Sequence, residues 1–175
     1  MPTILVIDTE TSGLPNSQHA TPIQVGVVIL SGDEVFTDTW YVLPRIIDTQ
    51  VFAQASRVNG ITLAKLEKEG ISQADSVDRL RALWVKHGKP KVYSYNASFD
   101  ELMLSRMGWS EKDTWGPCLM QGVRAHLGLP RNLNLTRACE ALGLPGPGAS
   151  AHDAMADAMA AARIAVTIGA GGYTS

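Results

Sequence analysis

The sequence predicts a mixed α/β layer fold, on three observations. Three apolar, β-branched runs follow one another closely near the start of the chain. A fourth lies near position 92, and the segments beyond it repeat apolar residues at helical spacing.

Residues 4–7 are continuously apolar, as in a buried strand, and lead into the polar turn Asp8-Thr9-Glu10-Thr11-Ser12-Gly13-Leu14-Pro15. Residues 23–30 form a second run, closed by Ser31-Gly32-Asp33. Residues 35–43 alternate Phe36, Trp40 and Val42 with Thr37 and Thr39, a third strand. Strands joined this tightly make an antiparallel meander. Residues 44–60 read as irregular or partly helical. Residues 61–69 read as a short helix ending at Gly70. Residues 76–87 place Val77, Leu80, Leu83 and Trp84 at helical period, with Gly88 as the stop. Residues 92–95 are a fourth strand, and 98–107 a helix with Leu102 and Met103 turned inward. Leu135, Ala138, Cys139 and Leu142 share a helix face closed by Gly143. Residues 144–150 are a Pro/Gly loop, 154–168 an Ala-rich helix, and 169–175 a frayed end. With 175 residues and neither an internal repeat nor a long linker, the expectation is one domain over 1–175.

Composition narrows the function classes. Apolar residues make up 45% and charged residues 18%, which excludes a disordered chain. A net charge of -2 provides no global positive field, so tight sequence-independent binding to long duplex is not expected. Cys118 and Cys139 are too few for a zinc or disulfide framework and read as free, buried thiols. The start Met1-Pro2-Thr3 lacks the basic flank of a signal peptide, and no apolar stretch approaches ~20 residues. A soluble cytoplasmic protein without a membrane segment is therefore expected.

Asp8 and Glu10 follow a buried run and, two apart on extended chain, share a face. Taken singly, each has an ordinary reading as a solvated turn residue. Asp100, just past the fourth strand, has one as a first-turn helix acid. Asp157 is different. Its neighbours in Ala154-Met155-Ala156-Asp157-Ala158-Met159-Ala160 are small and apolar, so its helix packs closely and an acid there is costly unless paired or cation-bound. Asp153 reads as the helix cap. His152 lies near the helix start, within reach of the acids if these segments converge. Hard oxygen ligands suit Mg²⁺ or Mn²⁺ rather than zinc. Two such ions can clamp a phosphodiester while a histidine accepts the attacking water's proton.

Three motifs now stand in order: Val6-Ile7-Asp8-Thr9-Glu10-Thr11-Ser12-Gly13-Leu14, Val92-Tyr93-Ser94-Tyr95-Asn96-Ala97-Ser98-Phe99-Asp100, and His152-Asp153-Ala154-Met155-Ala156-Asp157-Ala158. Together they resemble the DEDD 3′→5′ exonuclease superfamily, histidine branch. Val58-Asn59-Gly60-Ile61-Thr62 resembles a segment between the first two motifs. The resemblance covers essentially the whole chain and is similar to the catalytic part of bacterial polymerase III epsilon proofreading subunits. It implies a ribonuclease H-like fold with a five-stranded mixed sheet flanked by helices. It implies release of nucleoside 5′-monophosphates from single-stranded DNA or RNA 3′ ends. It also implies two divalent cations, Mg²⁺ or Mn²⁺, on Asp8, Glu10, Asp100 and Asp157, with His152 as general base. Thr11, Gly13, Leu14, Asn59 and Phe99 become the residues expected to seat the terminal nucleotide, with a core role for Phe99 equally open.

Tyr95 and Asn59 stand where many members carry histidine, and Pro117-Cys118-Leu119 replaces a common Asp-Thr pair. These departures leave DNA against RNA open. The chain stops soon after the third motif, without an evident tail for a polymerase. A stand-alone enzyme, a phage-type enzyme and an excised domain that partners a DNA polymerase subunit all remain open. Trp109 and Trp115 read as packing or as base-stacking residues, and Arg124, Arg131 and Arg137 as possible phosphate contacts.

Overall fold

A computed structural model describes residues 2–150 and 152–173. Five strands form one mixed sheet in the order β4-β3-β2-β1-β5: β1 Thr3–Thr11, β2 Pro22–Ser31, β3 Glu34–Leu43, β4 Ile71–Ser72 and β5 Lys91–Tyr93. The β1–β2 and β2–β3 pairs are antiparallel, the expected meander, while β1–β5 and β3–β4 are parallel. The helices are α1 Thr49–Asn59, α2 Leu63–Glu69, α3 Gln73–Lys86, α4 Ala97–Met107, α5 Leu119–His126, α6 Leu135–Leu142 and α7 Ala154–Thr167. A five-stranded mixed sheet flanked by helices is the expected architecture.

The alternation along β1 divides the core into two layers. Ile4 and Val6 join Val28 and Leu30 under α5, α6 and α7. Leu5 and Ile7 join Val25, Val27 and Ile29 under α3 and α4. A third small core, from Ile23, Phe52, Ile61 and Leu66, seats α1 and α2. Each fully buried aliphatic contributes about 1.5–3 kcal/mol, so the sheet's two faces dominate the stability.

Several elements differ from expectation. β1 does not stop at residue 7 but runs on through the acids to Thr11, with a register shift between Glu10 and Thr11. Its pairing with β2 holds that polar stretch extended. Residues 44–60 contain a true helix, α1, begun by Asp48, whose carboxylate accepts the N–H groups of Gln50 and Val51. β4 is two residues long and has no hydrophobic pattern to announce it. α5 was not expected at all. β5 ends at Tyr93 rather than residue 95. Met103 is buried as expected, but Leu102 is exposed on α4.

Residues 170–172 are not frayed. They form a 3₁₀ turn in which Gly171 packs so closely on Ile4 and Tyr93 that a Cβ would collide. The end beyond 173 lies outside the described residues. Trp109 is 1% exposed and packs edge-on against Trp84 and Trp115, with ring centroids 6.4 and 6.2 Å away. That packing takes Trp109 out of any stacking role. Cys139 is buried, whereas Cys118 is only half-buried and donates its thiol to the Tyr95 carbonyl at 3.3 Å.

Candidate active site

The site forms where the two layers meet at the end of β1. Asp8 and Glu10 lie on the α7 side of the sheet, continuing the alternation of Ile4 and Val6. Thr9 faces the α4 side, where its buried hydroxyl donates a 2.7 Å hydrogen bond to Oδ1 of Asp100. Asp100 sits in the first turn of α4 and is 3% exposed. Asp157 occupies the first turn of α7, where the helix N-terminus favours a negative charge. Its Oδ2 accepts the backbone N–H of His152 at 3.2 Å. His152 itself is exposed and has φ of +68°, a left-handed conformation that costs a side-chain-bearing residue about 1–2 kcal/mol. The residue is thus turned back toward Asp157 at some cost in backbone energy. Asp153 caps α7, as expected, accepting the N–H groups of Met155 and Ala156.

The ten residues expected to hold metal, act as base or seat the terminal nucleotide line one cleft of about 1060 Å³: the four acids, His152, Thr11, Gly13, Leu14, Asn59 and Phe99. Trp109, Trp115, Arg124, Arg131 and Arg137 do not line it. The same cleft is also lined by Leu14 (67% exposed) and by Val51, Ala55 and Val58 of α1. Gly13 is required there because a Cβ would run into Val51. Thr11 and Asn59 are bound up locally. The Thr11 hydroxyl donates to the Gly13 carbonyl, and the Asn59 amide bridges the Thr11 carbonyl and the Ile61 N–H. Arg106, near the other end of α4, donates to the carbonyls of Pro15, Ser17 and Ala20 and so holds the loop that carries Leu14. Among the three arginines proposed for phosphates, Arg137 pairs with Glu140 on the exposed face of α6.

The acids repel one another. Burial raises the Asp8 carboxyl well above the carboxylate range, and the charges of Asp100, Asp157 and Glu10 push it further. Burial, followed by the Asp157 charge, lifts Glu10 to about 8, although the Asn59 amide offsets part of the rise. Burial raises Asp100 to about 6 against the stabilising hydrogen bond from Thr9. Burial also raises Asp157, partly offset by the His152 backbone N–H. Packing four carboxylates together is unfavourable unless a cation compensates. The donor set fits one. Glu10, His152 and Asp157 each offer a ligand atom, all within 4.8 Å of one another. Oδ1 of Asp157 is buried and has no hydrogen-bond partner among the described residues. Carboxylates with an imidazole beside them are a donor set that can hold a divalent cation.

Thr9 and Gln24 were not foreseen. Thr9 carried a signal, since period two sends it to the Asp100 side. Gln24 carried only its position in an otherwise apolar strand. Nor was Arg106 foreseen, because its partners are carbonyls of a distant loop.

Comparison with solved structures gives the same fold. The zinc-bound form of E. coli exonuclease I in complex with single-stranded DNA superposes with a TM-score of 0.74 at 22% identity, over 97% of this chain and 40% of that one. A second exonuclease I structure gives 0.75 at 22%, over 97% and 41%. The E. coli enzyme with a dA16 oligonucleotide gives 0.72 at 23%, over 97% and 41%. The chain therefore spans about two fifths of the length of these proteins. A search of curated protein sequences returned no match. The sequence profile of the RNase T exonuclease family matches residues 5–165, nearly the whole chain, and on that match the chain belongs to the exonuclease family.

Proposed function

We propose that this chain is a 3′→5′ exonuclease of the histidine branch, acting as one domain on single-stranded DNA or RNA ends and releasing nucleoside 5′-monophosphates. The observation that carries the reading is the convergence of Asp8, Glu10, Asp100 and Asp157 from three separate elements, with His152, on one cleft. The solved exonuclease I complexes with single-stranded DNA support the substrate class.

Asp8, Glu10, Asp100 and Asp157 would hold two divalent cations, Mg²⁺ or Mn²⁺. When bound, these supply the positive charge that neutralises the acids and the phosphodiester and stabilises the charge developing in the transition state. His152 is the general base. An imidazole nitrogen takes the attacking water's proton, and its exposed position at the cleft edge lets the proton pass on to solvent. Thr9 holds the Asp100 carboxylate in place. The apolar lining of Leu14, Val51, Ala55 and Val58 takes the face of the terminal base, while Gly13, Thr11 and Asn59 set the shape of the turn beneath it. Phe99, which also lines the cleft, offers its ring to a base. A cytoplasmic setting is consistent with the free thiols and with the absence, among the described residues, of any helix long and apolar enough to cross a membrane.

Product analysis tests the reading. Incubation of single-stranded DNA with Mg²⁺ should give nucleoside 5′-monophosphates by chromatography, and a 3′-terminal phosphorothioate should delay their release. Nucleoside 3′-monophosphates or long internal fragments would contradict it.

A further inference from the structure

We propose that Gln24 is a positioning residue for this site: its side-chain amide locks the start of α7 onto β2 and thereby fixes where Asp157 and His152 stand. The proposal rests on the exonuclease reading for its activity readout only.

Gln24 is 2% exposed and lies in β2 directly opposite Glu10. Its Nε2 donates to Oδ2 of Asp153 at 2.8 Å, and its Oε1 accepts the backbone N–H of Ala154 at 3.2 Å. The partners determine the amide's orientation, since a carboxylate can only accept and an N–H can only donate.

Helices begin with four N–H groups that lack intrahelical partners. In α7 the three that lie inside the helix are accounted for. Asp153 takes Met155 and Ala156 with its carboxylate, while its backbone carbonyl accepts the first intrahelical bond, from Asp157, at 3.0 Å. The first, Ala154, lies beyond the reach of the cap's own carboxylate, and Gln24 takes it. The same amide restrains the cap from the other side. Gln24 therefore ties down both the residue that starts the helix and the first residue inside it. His152 directly precedes that cap, and Asp157 follows one turn later.

A second observation gives the same seat. The α7 backbone at Ala154 and Met155 lies so close to Gly26 that a Cβ there would collide with the Ala154 carbonyl. Gly26 and Gln24 both sit on the α7 side of β2 and together set the height and register of the helix over the strand. A displacement of this helix start carries both the acid and the base with it. Misplacement by about 1 Å can cost on the order of 10²-fold in rate.

A matched pair of variants tests this. Gln24→Glu keeps the acceptor for Ala154 but sets a carboxylate against that of Asp153. Asp153→Asn keeps the cap but sets an amide N–H₂ against that of Gln24. Combined, Gln24→Glu/Asp153→Asn restores donor to acceptor with the net charge unchanged. We would measure kcat and KM on labelled single-stranded DNA, Mn²⁺ affinity by calorimetry, and Tm for all four proteins. Each single variant should lose roughly 10–100-fold in kcat with KM little changed and with weakened Mn²⁺ binding, at temperatures far below its Tm. The double variant should recover most of both. Singles that lower Tm but keep wild-type kcat and Mn²⁺ affinity would make Gln24 a purely structural residue and overturn the proposal. So would a double variant no better than the singles in activity and Tm. If the wild type binds Mn²⁺ but cleaves nothing, the exonuclease reading fails while the Mn²⁺ series still judges Gln24.

Discussion

Removing metal and raising the pH should loosen this fold, and Glu10 is one of the four acids responsible. In the folded protein the Glu10 carboxyl is raised from its ordinary 4.5 to about 8. Across that interval the folded state holds a proton that the unfolded chain has released. Stability therefore falls as pH rises from about 4.5 to about 8, and it is greatest below that window. The full shift corresponds to at most about 5 kcal/mol. Local relaxation and solvent screening of the half-buried carboxyl reduce the observable part to roughly 2–3 kcal/mol, a large share of a typical domain's stability. Urea unfolding at pH 5, 7 and 9 in EDTA measures it. Glu10→Gln should reduce the slope, leaving the share of Asp8, Asp100 and Asp157, and be the more stable protein at pH 9. Millimolar Mg²⁺ should flatten the wild-type slope, since an ion bound at 100 times its Kd adds about 2.7 kcal/mol. A slope that survives Glu10→Gln unchanged, or that runs in the opposite direction, would refute the reasoning.

The other expectations follow from the same geometry. Asp157→Ala should abolish turnover while leaving the metal-free fold as stable as wild type or slightly more so, read by kcat and Tm in EDTA. His152→Ala should slow cleavage by about 10²–10⁴-fold while Mn²⁺ affinity is largely retained, and a collapse of affinity would make the residue a ligand. Gly26→Ala should destabilise by about 1–3 kcal/mol, or roughly 2–12 °C in Tm, because the added methyl meets the α7 backbone. Arg106→Ala frees the loop that carries Leu14 and should raise KM more than it lowers kcat in steady-state assays.

The meander and the long helices announced themselves through apolar periodicity, which burial enforces. β4 did not, because two residues cannot show a period, and its pairing with Val42 and Leu43 is a tertiary event. α5 was hidden by the Pro and Gly that precede it, although Leu119 and Val123 are spaced as one buried helix face. The extension of β1 through Asp8 and Glu10 runs against local polarity. Pairing with β2 wins because it satisfies the backbone of the whole edge. Among the site residues, the acids were legible as three motifs, and the structure brings all of them to one cleft. Thr11 and Asn59 also line that cleft, and their side chains bond neighbouring backbone, contacts that no local pattern announces. Gln24 escaped notice because its partners lie about 130 residues away, and no local pattern encodes such a contact.

The most direct measurement is digestion of 5′-labelled and 3′-labelled single-stranded DNA and RNA, with Mg²⁺, Mn²⁺ or EDTA, read on a denaturing gel. A ladder shortening stepwise from the 3′ end of the 5′-labelled strand, immediate loss of the 3′ label as mononucleotide, and silence in EDTA are expected. Shortening from the 5′ end, internal cuts, or full activity in EDTA would contradict a metal-dependent 3′→5′ exonuclease.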